Sequence, residues 1–187
     1  MYYSVTKLYS LLFIFFVFSI TAAAQKVFTK SANISFFSKT PIENIDAVNK
    51  SATCVMDLAT GKMEFAVLIK GFQFDRSLMQ EHFNENYMES SKFPKAVFKG
   101  QIDNYKTLDL TKTAKIPVIV SGQMTMHGVT NNIKTTGTVS TGGGKVTLDS
   151  SFDILLADYK IDIPALVKDQ ISKSIKITIN APLEALK

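Results

Sequence analysis

The sequence predicts an all-β domain, built either as a closed antiparallel barrel or as a sandwich. From Asn33 onward, apolar and polar residues alternate with a period of two in one segment after another. This is the pattern of strands with one buried face. Short segments rich in glycine or asparagine separate these strands, as antiparallel hairpins require. Only one stretch has clear helical spacing, which is too little for a helical bundle.

The alternation is clearest in KMEFAVLIKGFQF, residues 62–74, which predicts a strand with Met63, Phe65, Val67 and Ile69 on one face. Five other segments follow the same rule. Their apolar positions are Ile34 and Phe36 in ANISFF, Ala96, Phe98 and Ile102 in AVFKGQI, Val118, Val120, Met124 and Met126 in PVIVSGQMTM, Val146, Leu148, Phe152 and Ile154 in KVTLDSSFDILL, and Ile175, Ile177 and Ile179 in SIKITINAPL.

Three segments between these strands have the composition of turns: ATGK at 59–62, HGVTNN at 127–132 and TGGGK at 141–145. The last also invites comparison with a phosphate-binding loop. It lacks both the four-residue spacing and the Ser or Thr after the lysine, so a hairpin turn is favoured.

Residues 75–94 break the period of two and predict a short amphipathic helix followed by a loop. Asp75 is placed to cap the helix and Pro94 to end it. The apolar face at helical spacing consists of Leu78, Met79, His82 and Phe83. A second helical turn is predicted within PALVKDQI, residues 164–171.

The first 24 residues predict a cleavable secretory signal peptide. Lys7 precedes an apolar run of thirteen residues, 8–20, and Ala22 and Ala24 form a small-residue cleavage site. The run is shorter than the roughly 20 residues that cross a bilayer, although an uncleaved anchor is the alternative. Cleavage near Ala24 and Gln25 would leave one domain, residues 25–187, that is periplasmic or secreted and has no stable membrane anchor.

The charged residues argue against a nucleic-acid partner, and the single cysteine excludes an internal disulfide. Without the leader, 20 basic residues face 16 acidic ones, and the lysines are dispersed, so no nucleic-acid partner is expected. Cys54 has no partner for an internal disulfide and is interpreted as a small buried hydrophobe. Asn33 and Asn49 match the N-x-S glycosylation pattern, which matters only in a pathway that glycosylates.

Met124, Met126 and His127 form the one cluster that suits a soft metal such as Cu(I). Because alternate residues of a strand point the same way, the two methionines share one face and His127 begins the turn beyond it. Two core methionines and a turn histidine are therefore favoured, and no metal site is predicted. The chain has only two histidines and neither a G-x-S-x-G nor an H-E-x-x-H motif, so no catalytic residue and no cofactor are predicted.

Several stretches together resemble the YceI-like proteins, which are exported, lipocalin-like and polyisoprenoid-binding. They are HFNENYMESSKFPKAVFKGQI, VSGQMTMHGVTNNI, SSFDILLADYKIDIP and ISKSIKITINAPL. The most specific elements are FP.A.F.G at 93–100 and G.MT.HGVT at 122–130, and the resemblance runs from about Thr29 to Leu183. It implies an eight-stranded antiparallel lipocalin-like barrel with a short helical excursion near residues 75–90, no enzymatic activity, and a possible homodimer.

The resemblance also implies a long apolar channel that holds an isoprenoid or fatty-acyl lipid. Three glycines occupy positions of the alternation that face the barrel interior: Gly100, Gly122 and Gly137. A missing side chain at such a position leaves room in the interior or marks a bend in the strand. Arg76 and His82 are the candidate head-group contacts, although the acidic residue that many members have after Arg76 is absent. The predicted cavity lining is Ile34, Phe36, Phe65, Val67, Ile69, Phe83, Phe98, Val120, Met124, Met126, Phe152, Ile154 and Ile177.

The favoured function is therefore a binding or carrier protein for a long apolar ligand, such as a polyisoprenoid, an isoprenoid quinone-like molecule or a fatty-acyl chain. Burial of methylenes supplies enough free energy without a strong polar contact. The alternatives are a solid structural or interaction barrel, a soft-metal-binding exported protein and, least favoured, an enzyme. A continuous cavity of several hundred Å³ would distinguish a ligand site from a scaffold.

Overall fold

Eight strands close into a single antiparallel barrel in the computed structural model, which describes residues 26–110, 112–143 and 145–185. The predicted signal peptide lies outside these residues. Each strand pairs with its neighbours in the chain, and the first pairs with the last. The strands are β1 (Lys26–Lys39), β2 (Asn44–Asp57), β3 (Lys62–Leu68), β4 (Lys95–Ile102), β5 (Ala114–Met126), β6 (Val129–Gly142), β7 (Lys145–Leu155) and β8 (Ser174–Ala185). The predicted eight-stranded antiparallel barrel is confirmed.

The connections between strands divide the barrel into two ends. At the end that we call the mouth lie the connections 40–43, 69–94, 127–128 and 156–173. At the opposite end, the base, lie 58–61, 103–113 and the β6–β7 turn. The long connections are therefore concentrated at the mouth, where they can shape an opening.

The helical excursion is confirmed within the β3–β4 connection, where α1 (Ser77–His82) continues into a π-helical turn, Phe83–Tyr87. Two details of its prediction were wrong. The N-cap residue is Arg76 rather than Asp75, and no side chain caps the helix. Leu78 is 60% exposed instead of facing the core. The second predicted turn is a 3-10 turn, Ala165–Val167.

The strands differ from the sequence pattern at several boundaries, and two strands were not predicted. The predicted strand at 62–74 ends at Leu68, and Ile69 begins a 3-10 turn, Ile69–Gly71, with its side chain still buried. The turn at 127–132 contains only His127 and Gly128, both with positive φ, as a two-residue hairpin turn requires. The remaining residues of that segment belong to β6, which apolar alternation did not predict; β2 was missed in the same way.

The barrel interior is solid toward the base. Cys54 and Met56 of β2, Val139 of β6 and Leu183 of β8 are all at most 1% exposed and belong to one core cluster. Tyr105 packs against this cluster, and its hydroxyl donates a hydrogen bond to the carbonyl of Leu58. Burial and, to a lesser degree, a nearby carboxylate raise the pKa of Tyr105 above its usual range. The base of the barrel is thus closed.

A buried asparagine joins β2 to the end of β3. Asn49 is 0% exposed, and its Nδ2 donates to the carbonyl of Leu68 over 2.9 Å. Its Oδ1 accepts hydrogen bonds from the backbone nitrogen and the hydroxyl of Ser51, each at 2.9 Å. A Cβ on Gly71 would lie 2.6 Å from Nδ2, so only glycine lets the 3-10 turn pack this closely. In the folded chain Asn49 is therefore inaccessible to glycosylation, whereas Asn33 is exposed.

We expect Asn49→Ala to lower the free energy of unfolding by about 1–3 kcal/mol, because it removes three hydrogen bonds and leaves buried polar groups without these partners. Urea unfolding followed by circular dichroism measures the change. Asn33→Ala, at the other N-x-S position, is the matched control and should stay within about 0.5 kcal/mol of the parent. Equal losses in the two variants would contradict this role of Asn49.

None of the described helices is long and apolar enough to cross a membrane.

Candidate ligand-binding site

A cavity of about 400 Å³ occupies the barrel between the solid base and the mouth. Its walls are almost entirely apolar. All thirteen residues predicted from the sequence to line a cavity lie on its wall: Ile34, Phe36, Phe65, Val67, Ile69, Phe83, Phe98, Val120, Met124, Met126, Phe152, Ile154 and Ile177. Their contact with a ligand stays a prediction.

The cavity is visible in the burial of its walls as well as in its volume. Phe36, Phe98 and Phe152 point into the barrel, yet each is only partly buried. By contrast, Met56 in the base is completely buried. Protein interiors are normally packed as densely as organic crystals, so a row of inward aromatic rings in contact with open space is a built feature of the fold.

Four phenylalanines fix the helical excursion to the barrel wall. Phe83, from the π-helical turn, stacks on Phe36 of β1 with ring centroids 5.3 Å apart. It also contacts Phe74 at 5.0 Å and Phe72 at 5.7 Å. These stacked, tilted and edge-to-face pairs are favourable aromatic geometries. They place Phe83, with Met79 and His82 of α1, over the mouth end of the cavity.

The wall includes residues that the sequence reasoning did not select. Val118 and Leu148 lie on predicted strands and face the same side as the selected residues of those strands. The alternation along the strands could therefore have identified both. Others lie on the missed strands or on the mouth connections, where no period marks them. Among these are Ile45, Tyr87, Ile133, Thr135, Ile161, Val167, Gln170 and Ile171.

The three inward glycines do not all enlarge the cavity. Gly100 and Gly122 are paired across β4 and β5, and the ring of Phe98 lies over both. A Cβ on Gly122 would come within 2.7 Å of that ring. Their missing side chains therefore accommodate Phe98. Gly137 does line the cavity, and a Cβ there would lie 2.8 Å from the carbonyl oxygen of Asp149 on β7.

The barrel wall is incomplete between β6 and β7 near the mouth. These strands pair only from Gly137 with Ser150 to Gly142 with Lys145, although β6 continues toward the mouth from Val129. The 3-10 turn Leu156–Tyr159 packs in this region, and Asn131 Nδ2 donates to the carbonyl of Asp158 over 2.7 Å. The mouth is thus bounded partly by connections and side chains, without a continuous backbone ladder.

Few polar side chains reach the mouth end of the cavity. Glu43, His82 and Gln170 line it there, and His82 and Gln170 are exposed. The other candidate head-group contact, Arg76, is not part of the lining and forms an ion pair with Glu43 outside it. His82 Nδ1 is hydrogen-bonded to Asn86 Nδ2 at 2.9 Å. Of the two predicted head-group residues, only His82 is therefore positioned at the cavity.

Met124 and Met126 share the cavity wall, and His127 is directed elsewhere. His127 Nδ1 lies 3.0 Å from the carbonyl oxygen of Tyr159, and Nε2 lies 2.9 Å from the carboxylate of Glu89. Both ring nitrogens are thus engaged in hydrogen bonds and neither faces the methionines. The histidine joins three mouth connections and does not complete a thioether site.

The closed barrel and its hollow apolar interior define a lipocalin-type architecture, in which eight strands leave space for one slender ligand. The chain belongs to the YceI-like family, because the model of the YceI-like domain matches residues 18–183.

Solved structures with the same fold include a polyisoprenoid-binding domain from Saccharophagus degradans, with a TM-score of 0.75 and 16% identity over 87% of this chain and 99% of that one. BcnA of Burkholderia cenocepacia has a TM-score of 0.66 and 16% identity, covering 81% of this chain and 95% of its own. The Campylobacter jejuni YCEI protein has a TM-score of 0.53 and 18% identity, covering 73% of this chain and 81% of its own. At these identities the likeness concerns the fold. No curated protein sequence matches the chain.

Proposed function

We propose that the protein binds one long apolar lipid chain inside the barrel and acts as its carrier. The observation that carries this proposal is the apolar cavity of about 400 Å³, which lies within the range of small-molecule sites. A solid structural barrel would fill this space with its own side chains. A ligand that covers the partly buried rings of Phe36, Phe98 and Phe152 would restore the contacts that an empty interior lacks.

Burial of the chain itself supplies the binding free energy. Each methylene transferred from water contributes about 0.8 kcal/mol, so a dozen carbons contribute about 10 kcal/mol before the cost of immobilising the ligand. A strong polar contact is unnecessary. His82 and Gln170 at the mouth would meet a head group by hydrogen bonding through the imidazole ring and the side-chain amide.

A polyisoprenoid is the first candidate ligand, because the Saccharophagus degradans domain with the same fold is described as polyisoprenoid-binding. An isoprenoid quinone-like molecule or a fatty-acyl chain offers the same apolar surface. Apolar walls distinguish such chains by only about 1–3 kcal/mol per methylene-sized difference in fit. The signal peptide predicted for residues 1–24 supports a periplasmic or secreted location, and a homodimer stays a prediction.

Native mass spectrometry of gently purified protein tests this function. We expect a lipid-sized mass to co-purify, or a delipidated sample to take up an added prenyl alcohol in a 1:1 ratio. Extraction followed by mass identification then names the natural ligand. A protein that carries no lipid and takes up neither a prenyl alcohol nor a fatty acid would refute the proposal.

Filling the cavity should weaken binding of the prenyl alcohol by about tenfold or more. Ala96 lines the cavity where the core cluster of the base meets a second buried cluster that includes Ile69 and Ile154, so Ala96→Trp places an indole in the ligand space. The matched control is Ala66→Trp, which puts the same ring on the outer face of the neighbouring strand β3. Ile177→Phe is a milder filling variant in case the tryptophan impairs folding. Equal affinity in the filled and control variants would contradict a ligand site here.

A further inference from the structure

The exposed apolar side chains of the barrel are concentrated around the mouth. Seven large apolar side chains are exposed among the described residues, and five of them lie at the mouth end. Three belong to separate connections: Ile42 is 67% exposed, Leu78 60% and Leu166 95%. We call these three side chains the mouth rim. Leu68 and Leu155 end β3 and β7 beside them.

Each rim side chain is next in sequence to a residue of the cavity wall. Ile42 precedes Glu43, Leu78 precedes Met79, and Leu166 precedes Val167, and all three second residues line the cavity. The rim therefore lies beside the mouth end of the cavity, where the proposed ligand would enter. Val55 and Ile119, the other two exposed apolar residues, lie on the outer faces of β2 and β5, away from the mouth.

We propose that the mouth rim docks on the surface of a neutral lipid bilayer, so that the ligand passes between membrane and cavity by direct contact. This inference rests on the proposed function, because it concerns how that same cavity is loaded. An apolar chain that leaves a membrane through water exposes its entire surface, and this cost is avoided when the cavity mouth touches the bilayer. Exposed leucines on separate connections can insert among mobile acyl chains, whereas a stable protein interface needs a continuous surface of about 800 Å² per partner.

The charges around the rim favour a neutral surface over an anionic one. The mouth connections 40–43, 69–94, 127–128 and 156–173 carry six basic residues, Lys70, Arg76, Lys92, Lys160, Lys168 and Lys173. They carry eight acidic residues, Glu43, Asp75, Glu81, Glu85, Glu89, Asp158, Asp162 and Asp169, which leaves a net charge of −2. No net attraction to anionic lipids results. Docking should therefore depend on the apolar side chains and change little with salt.

Sedimentation with phosphatidylcholine vesicles tests the docking. We expect the protein to sediment with these vesicles, and the double variant Leu78→Gln, Leu166→Gln to bind about ten- to a hundredfold more weakly for each leucine that inserts fully. The matched control is the double variant Val55→Gln, Ile119→Gln, which replaces exposed apolar residues of the barrel wall and should bind like the parent. Thermal unfolding checks that both variants remain folded.

Ligand transfer provides the second measurement. A protein loaded with a fluorescent fatty acid should release it to acceptor vesicles at a rate that rises with vesicle concentration, whereas the rim variant should release it at a constant rate. The parent protein and the rim variant should bind the same fluorescent fatty acid in water with equal affinity. Failure to bind the probe would refute the proposed function, and the sedimentation result would still decide the docking.

Three outcomes would overturn the inference. The first is that the parent protein does not sediment with phosphatidylcholine vesicles. The second is that the control variant Val55→Gln, Ile119→Gln loses as much binding as the rim variant Leu78→Gln, Leu166→Gln. The third is that binding needs phosphatidylglycerol and disappears in 0.5 M salt. If analytical ultracentrifugation finds a dimer that only the rim variant converts to a monomer, and no vesicle binding accompanies it, the rim is an interface between two copies and the docking is refuted.

Discussion

Met56→Ala should lower the free energy of unfolding by about 2–5 kcal/mol, the range observed when a large aliphatic core side chain is truncated. Met56 is 0% exposed and packs in the solid base, where the neighbouring side chains cannot collapse into the vacated space without disturbing several strands. Met124→Ala is the same substitution on the cavity wall, where the side chain already faces open space. We expect this second change to cost under about 1.5 kcal/mol.

Urea unfolding of delipidated protein measures both changes, since a bound ligand would add its own stabilisation to the folded state. The difference between the two methionines tests directly whether the interior has a solid half and a hollow half. If Met124→Ala costs as much as Met56→Ala, the cavity is collapsed in solution and the carrier function loses its main support.

Alkylation of Cys54 should be about a thousandfold slower in the folded protein than for an ordinary thiol at pH 8. Burial raises the pKa of Cys54 from 9.0 to about 12, and the thiolate is the reacting species. At a pH below both pKa values, the thiolate fraction falls tenfold each time the pKa rises by one. The higher pKa of Cys54 therefore lowers the thiolate fraction, and with it the alkylation rate, about a thousandfold. Because Cys54 is also 0% exposed, steric shielding acts in the same direction.

Iodoacetamide labelling followed by mass spectrometry measures this rate, with the urea-unfolded chain as reference. The variant Cys54→Ala, Thr53→Cys supplies the matched control, because residue 53 points outward from the same strand and is exposed. The control thiol should react nearly as fast in the folded as in the unfolded state. Folded Cys54 reacting within tenfold of the unfolded chain would contradict the burial of this thiol.

The sequence pattern identified strands whose inward positions are consistently large and apolar. It missed β2, where Ala47, Asn49 and Cys54 are small or polar inward residues, and β6, where Asn131 and Thr135 have inward parity. Asn49 is buried because a specific carbonyl, that of Leu68, lies within its reach. Such tertiary hydrogen bonds leave no periodic signal in the chain.

The cavity wall was predictable on the strands and much less so at the mouth. Parity alone placed residues such as Phe65 and Val120 on the wall, and the resemblance to the family placed Phe83 there. Arg76 illustrates what parity cannot predict, because its direction depends on Glu43 from a different connection. The absence of catalysis and of metal binding, the location and the oligomeric state stay predictions.

The pairing of β1 with β8 determines when this protein can first hold a ligand. Phe36 of β1 finds its partner, Ile177, only after the last strand of the barrel has been made. Until then the wall supplied by Ile175, Ile177 and Ile179 is missing, and the opposite edges of β1 and β7 are unpaired. Such long-range closure is slow compared with local hairpin formation. Ligand capture is therefore a property of the closed barrel, and a fragment that lacks β8 should bind no lipid.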